Sequence, residues 1–345
     1  MRIFSFLLVI LALFSCSEKM KEFEQVTIEP VFTDSLSIRA IAPIDENRVW
    51  FAANKGMVGL IDHNTPKLAT IKYEDSLLHF RSIAATNKNV YVLSVANPAV
   101  LYKIDFNGSE ATHIEEVYTE KGEKVFYDSI AFWDENEGIA MGDPTGECLS
   151  IIVTRDGGNT WNKIECSQLP KTEEGEAAFA ASNTNISLFG THVWIATGGK
   201  RARVFHSGDK GKTWEVFNTP IIQGKTMTGI YSIRFFNEKI GIIFGGDWEN
   251  KGFNEGNKAI TKDGGKTWKL LANGEGPGYR SSVSFVPNTE GKGIVAVGSP
   301  GISYSWDAGN TWKEISKEGL YALEFVNDSI AFGSGQNRIV KLRFY

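Results

Sequence analysis

Three cysteines in 345 residues are too few for a disulfide-dense scaffold. The five histidines, His63, His79, His113, His192 and His206, are dispersed, with no His-x-His and no His-Glu-x-x-His among them, so the sequence offers no metal site and none is expected. No G-x-G-x-x-G opens a helix, which removes the usual nucleotide-cofactor signal, and no cofactor is expected. Basic residues are scattered rather than clustered and the formal net charge is −5, which argues against a nucleic-acid partner. The apolar stretch from Ile3 to Phe14 is shorter than the roughly 20 residues that span a bilayer as a helix.

What the chain has instead is glycine, 35 of them, and a repeat. Four copies of S/T-x-D-x-G-x-T-W run Thr154 to Trp161, Ser207 to Trp214, Thr261 to Trp268 and Ser305 to Trp312, with their aspartates 53, 54 and 44 residues apart. Such spacing is that of a solenoid, propeller or array. The signature has the chemistry of a turn: the Asp carboxylate accepts nearby backbone N–H groups, the first hydroxyl does the same, Gly supplies positive φ, and Trp begins the next strand with a ring to bury. Each copy lies between two β-rich runs, as in a hairpin. Asp156, Trp161, Asp209, Trp214, Asp263, Trp268, Asp307 and Trp312 are therefore expected to be structural.

These turns resemble the Asp-box, or BNR repeat, of sialidases, some endo-glucanases, sortilin-like receptors and the photosystem II stability/assembly-factor propellers. The resemblance implies an all-β propeller of four-stranded antiparallel blades. The strand order of a blade is also readable before the first box, in Ile38-Arg-Ala-Ile-Ala with Arg48-Val-Trp-Phe-Ala-Ala, and in Phe80-Arg-Ser-Ile-Ala with Val90-Tyr-Val-Leu-Ser. The last unit, from Tyr321, supplies three strands, and the orphan strand from Gln25 to Phe32 can complete it. The count is a seven-bladed β-propeller closed by this N-terminal strand, with six or eight blades as alternatives; closure hides the two edges an open array would expose.

Arg2, the apolar run and Leu13-Phe14-Ser15-Cys16 read as a signal peptide over residues 1–15. Its last four residues resemble a bacterial lipobox, although Phe14 stands where a small residue is usual. That resemblance implies a lipidated Cys16, a tether over 16–24 and a lipid-anchored place in the cell envelope, at the outer membrane; residues 25–345 are expected to form a single propeller domain, and the protein to be a monomer. Cys148 and Cys166 flank the first box almost symmetrically, as a cross-strand disulfide or as two buried thiols.

In a four-stranded blade the boxes share one face with the other short turns, while the longer loops gather on the opposite face, where binding residues are usually found. Polar inner-strand residues Arg39, Arg81, Asp128, Glu176, Arg234 and Arg280 point to the same mouth. Ligand-binding candidates are Arg201, Asp247, Trp248, Tyr279 and Arg280, with Trp248 as a stacking face for a sugar or peptide. If there is a reaction, its carboxylates come from Asp143, Glu147, Glu176 and Asp247. Against a sialidase, Ile38-Arg39-Ala-Ile matches only the Arg of Phe/Tyr-Arg-Ile-Pro, and no Tyr-Glu nucleophile pair can be assigned. The resemblance to the photosystem II assembly-factor type implies a binding module for a protein or glycan without turnover. The alternative is a glycoside hydrolase using paired carboxylates on the loop face.

Overall fold

The computed structural model describes residues 22–345; the expected signal peptide and Cys16 lie outside the described residues. Nearly all regular structure is β-strand, in antiparallel sheets. The sheets pack face to face around an axis, so the middle strands of each blade are covered on both sides. Gly241–Asp247 and Ile294–Gly298 are buried throughout, which is why they read as unbroken apolar runs rather than alternating ones. The outermost strands face water, as Thr65–Thr70 and most of Glu110–Glu120 do.

The expected count of seven separate blades is corrected to six. Hydrogen bonding joins the strands into six large sheets, with one further two-stranded ribbon at Lys72–Tyr73 and Ser76–Leu77. The cause is the 18-residue strand Val26–Pro43, which does not stop after completing the terminal unit. It pairs with the C-terminal strand Ile330–Phe344 over Val26–Ser37, then continues and pairs with Arg48–Ala53 over Ile38–Pro43. The terminal and first units thereby share one strand and form a single six-stranded sheet, blade 1. Blades 2, 3, 4 and 6 are four-stranded and lie within residues 80–120, 127–163, 186–218 and 282–316. Blade 5, within 228–270, gains Glu176–Ala177 and Gly198–Gly199 as two extra short strands.

The four signature turns are built alike. In the second, Asp209 Oδ1 accepts the Thr213 N–H at 2.8 Å and its Oδ2 accepts the Thr213 hydroxyl at 2.7 Å, while Ser207 Oγ accepts the Gly211 N–H at 2.8 Å. The same bonds recur around Asp156, Asp263 and Asp307. The glycine is required twice over at Gly158: its φ is 72°, and a Cβ there would sit 2.2 Å from Tyr91 Cε1 of the neighbouring blade. The tryptophans then wedge between blades. Trp161 meets Tyr91 and Phe132 edge-on, and Trp312 meets Phe244 at 5.5 Å. Cys148 and Cys166 are bonded across the strands that flank the first turn, with Cα atoms 5.6 Å apart.

Candidate functional site

The axis of the ring is crossed by the segment 178–185, whose residues look like a loop in the sequence and instead knit several blades together. Asn183 Nδ2 donates to Ile83 O, Ser182 Oγ to Ser281 O, and Thr184 Oγ1 to Ser232 Oγ, while Ser129 Oγ donates to Asn183 O. This buried crosspiece forms the floor of the mouth on the loop side.

Two arginines lie over that floor. Arg39 donates to Ala181 O at 3.3 Å with its guanidinium 4.2 Å from the Tyr321 ring centre, and Arg81 reaches Ala180 O at 3.5 Å and His79 Nε2 at 3.3 Å. Both are half-buried, and among the described residues neither makes an ion pair. Burial, and then the charge of Arg39, pushes Arg81 down to about 10; burial together with the two arginines pushes His79 down to about 4. Beneath Arg81 lies Asp128, fully buried, with no hydrogen-bond partner for either carboxyl oxygen. Burial and the neighbouring Asp143 raise it well above the usual carboxylate range. Burial likewise lifts Asp143 to about 6, although its Oδ1 accepts the Ala178 N–H at 2.7 Å. On the other side of the mouth, Phe179 stacks on Tyr231 at 3.9 Å, and Tyr279 meets Tyr231 edge-on at 4.8 Å.

The residues singled out from the sequence are spread around this centre. Glu147 is exposed and paired with Lys171 at 2.6 Å. Glu176 is buried against the Arg203 guanidinium and the Thr197 hydroxyl. Asp247 is buried; its Oδ1 accepts the N–H groups of Glu249 and Asn250, and Lys225 stands 3.4 Å from Oδ2. Trp248 is exposed, with Lys251 Nζ 4.9 Å from its ring centre, and Arg201 reaches Asn218 from the surface. Arg280 is buried, bonded to Tyr279 O and Ser303 Oγ. Of the ligand candidates read from the sequence, only Tyr279 joins the mouth cluster. Arg203 and His79 were not visible as partners of the site, since nothing in sequence spacing ties residue 203 to 176 or 79 to 81 and 39 in space. Among the described residues no group of three His, Cys, Asp or Glu is placed to hold a metal ion.

A family model described as photosynthesis system II assembly factor YCF48 matches residues 109–220. Solved structures carry the likeness across the ring. A structure of YCF48 bound to a D1 peptide superposes with a TM-score of 0.65 at 14% identity, covering 94% of this chain and 98% of that one. YCF48 from Cyanidioschyzon merolae gives 0.63 at 15% identity, covering 93% and 98%. The fold shared with these structures is the β-propeller. The fold is also shared with an enzyme: the GH74 xyloglucanase from Xanthomonas campestris gives 0.63 at 12% identity, covering 92% of this chain and 54% of that one. No curated protein matches the sequence.

Proposed function

We propose that this YCF48-like propeller is a binding module that grips an acidic or carboxylate-ended protein segment at the loop-side mouth, without turnover. The observation that carries this reading is the Arg39 and Arg81 pair, two half-buried guanidiniums side by side, neither in an ion pair, with Asp128 beneath Arg81 held toward its neutral form by burial. A planar guanidinium is the side chain best shaped to take a carboxylate in two parallel hydrogen bonds. Partial burial raises the worth of such a contact, because the charges are poorly screened. Half-buried Phe179 and Tyr321, the first backed by the buried rings of Tyr231 and Tyr279, offer flat apolar surface beside the charge, as peptide-binding surfaces do. The peptide-bound YCF48 structure supports the idea that a ring of this kind can hold a peptide.

The hydrolase alternative finds less support. Glu147 and Glu176 are held by Lys171 and Arg203, Asp247 by backbone N–H groups, and of the pair Asp128 and Asp143 the first is wholly buried, out of reach of a substrate. We also propose that Cys16 carries a lipid and holds the ring at the envelope membrane.

The test is an array of peptides with free or amidated C-termini, probed with the wild type and with Arg39→Ala/Arg81→Ala. Retained peptides should be acidic or carboxylate-ended, and the double variant should bind at least tenfold more weakly at an unchanged melting temperature. Equal binding by the double variant would sink the reading.

A further inference from the structure

The chain enters the ring on the face that carries the signature turns. Phe23 is buried, with its ring 4.7 Å from that of Tyr304 and 5.0 Å from that of Phe344, and Glu24 donates its N–H to Tyr345 O at 2.7 Å. Glu22, Phe23 and Glu24 share a hollow with Trp306, Thr311 and Trp312 of the fourth signature turn. Packing thus fixes the point of entry, on one face and at the seam between blades 6 and 1.

That side of the face carries side chains the turns themselves do not need. Trp306 is the second residue of its signature, where the other three copies have Arg155, Gly208 and Lys262, and its ring is exposed. Tyr345, bonded to Glu24, is exposed as well, and so is Phe189 at the end of a strand in blade 4. Lysines that are scattered in the sequence meet here, because the turns of blades 4 to 6 bring Lys212, Lys239, Lys262, Lys266 and Lys292 to one face, all of them exposed. Glu238, Glu290 and the signature aspartates balance their charge. The turns of blades 1 to 3 on the same face are acidic instead, with Asp45, Glu46, Asp134, Glu135, Asp156 and Asp328 against Arg48, Lys88 and Arg155.

We propose that the side of the signature face formed by blades 4 to 6 is a membrane-docking surface. It lies on the bilayer that holds the Cys16 lipid, with Trp306 and Tyr345 at the level of the headgroups and the lysines on lipid phosphates, and the mouth is held facing away from the membrane. The proposal rests on the reading that Cys16 is lipidated. Residues 16–22 can span at most about 20 Å. The strand Gly241–Asp247 alone runs about 20 Å from the signature face to the loop face, and the loops extend beyond it. A leash that short, starting at Glu22, cannot bring the loop face to the membrane. Trp and Tyr rings favour the membrane–water interface, and lysine stems lie along apolar surface while their ammonium groups stay among the headgroups. Anionic lipids repel the acidic side of the face, which tilts blades 1 to 3 off the surface.

The test places one dye on the full chain, at Glu238→Cys on the signature face or at Glu249→Cys on the loop face, two exposed positions at opposite ends of the same strand. Energy transfer is measured to an acceptor lipid in vesicles of phosphatidylethanolamine and phosphatidylglycerol, and mass spectrometry of the same samples reads the acylation of Cys16. The dye at Glu238→Cys should transfer strongly and the dye at Glu249→Cys weakly. Adding Trp306→Ser, Lys262→Glu and Lys266→Glu should remove most of the transfer from Glu238→Cys while the chain stays anchored. An unacylated chain overturns the tether, and this orientation with it. An acylated chain whose two labels transfer equally, or whose transfer is unmoved by the triple substitution, overturns the docking surface alone and leaves the patch to a protein partner. If the triple variant unfolds, the two labels in the otherwise wild-type chain decide.

Discussion

Aspartates on the two faces of the ring live in opposite circumstances. At the signature turns they lie at or near the surface, saturated with donors; at the mouth, Asp128 is fully buried and Asp143 half-buried, and the pair is nearly without them. Burial acts to raise Asp209, yet the hydroxyl and N–H of Thr213 and the hydroxyl of Ser207 outweigh it and hold the group at about 2. On Asp143 burial outweighs the single donor, the Ala178 N–H, and leaves it at about 6. The same side chain is thus a structural clasp in one place and a group under electrostatic strain in the other. Donors decide which, since a carboxylate that accepts several hydrogen bonds is favoured as an anion and a buried one without them is not.

Asp209→Ala should break the clasp and lower stability by about 2 kcal/mol, because the backbone and hydroxyl donors of the turn lose their acceptor. Chemical denaturation measures it, and peptide binding at the mouth should stay unchanged. A smaller effect of opposite sign is expected of Asp128→Asn, which removes a fully buried acid that burial keeps toward its neutral form despite Arg81 above it: stability at pH 7 should hold or rise by up to about 1 kcal/mol. A loss there comparable to that of Asp209→Ala would erase the contrast.

The pH profile gives the finest distinction. Asp143 is raised, so between about pH 6 and its ordinary value near 4 the folded chain holds a proton that the unfolded chain releases; its contribution to stability grows as pH falls through that window. The turn aspartates are depressed, so theirs is present above about pH 4 and fades as pH falls toward 2. Because His79 and His206 are held near 4 and lose stability over the same window, the test is the difference: as pH falls from 6 to 4 the wild type should gain stability relative to Asp143→Asn, with the acid-side loss kept in both.

The clasp was readable in the sequence because it is local: hydroxyl, carboxylate, glycine and tryptophan stand at fixed offsets, and their bonds span four residues. The division of faces followed from strand order alone. The mouth was only half legible. Arg39 and Arg81 could be placed there by blade position, but the crosspiece 178–185 could not, since Ala180, Ala181, Ser182 and Asn183 carry no apolar period and their partners lie about 50 to 140 residues away. Glu176 looked like a mouth residue for the same reason, and it turned inward to Arg203 because a buried carboxylate takes the nearest guanidinium. The number of blades failed on a single strand: nothing in Thr33-Asp34-Ser35 announces that Val26–Pro43 keeps extended geometry through residues that would ordinarily turn.

That strand also bears on how the molecule is made. Val26 pairs with Phe344, and Phe23 packs its ring on Phe344 and Tyr304. Contacts so distant along the chain are slow to form, because a very long loop must close before they are rewarded. Middle blades can assemble while the polypeptide is still emerging, but the seam cannot, and until it closes both of its edges are open to other chains. The ring is therefore finished last at its seam, and a chaperone for this protein would have most to do there.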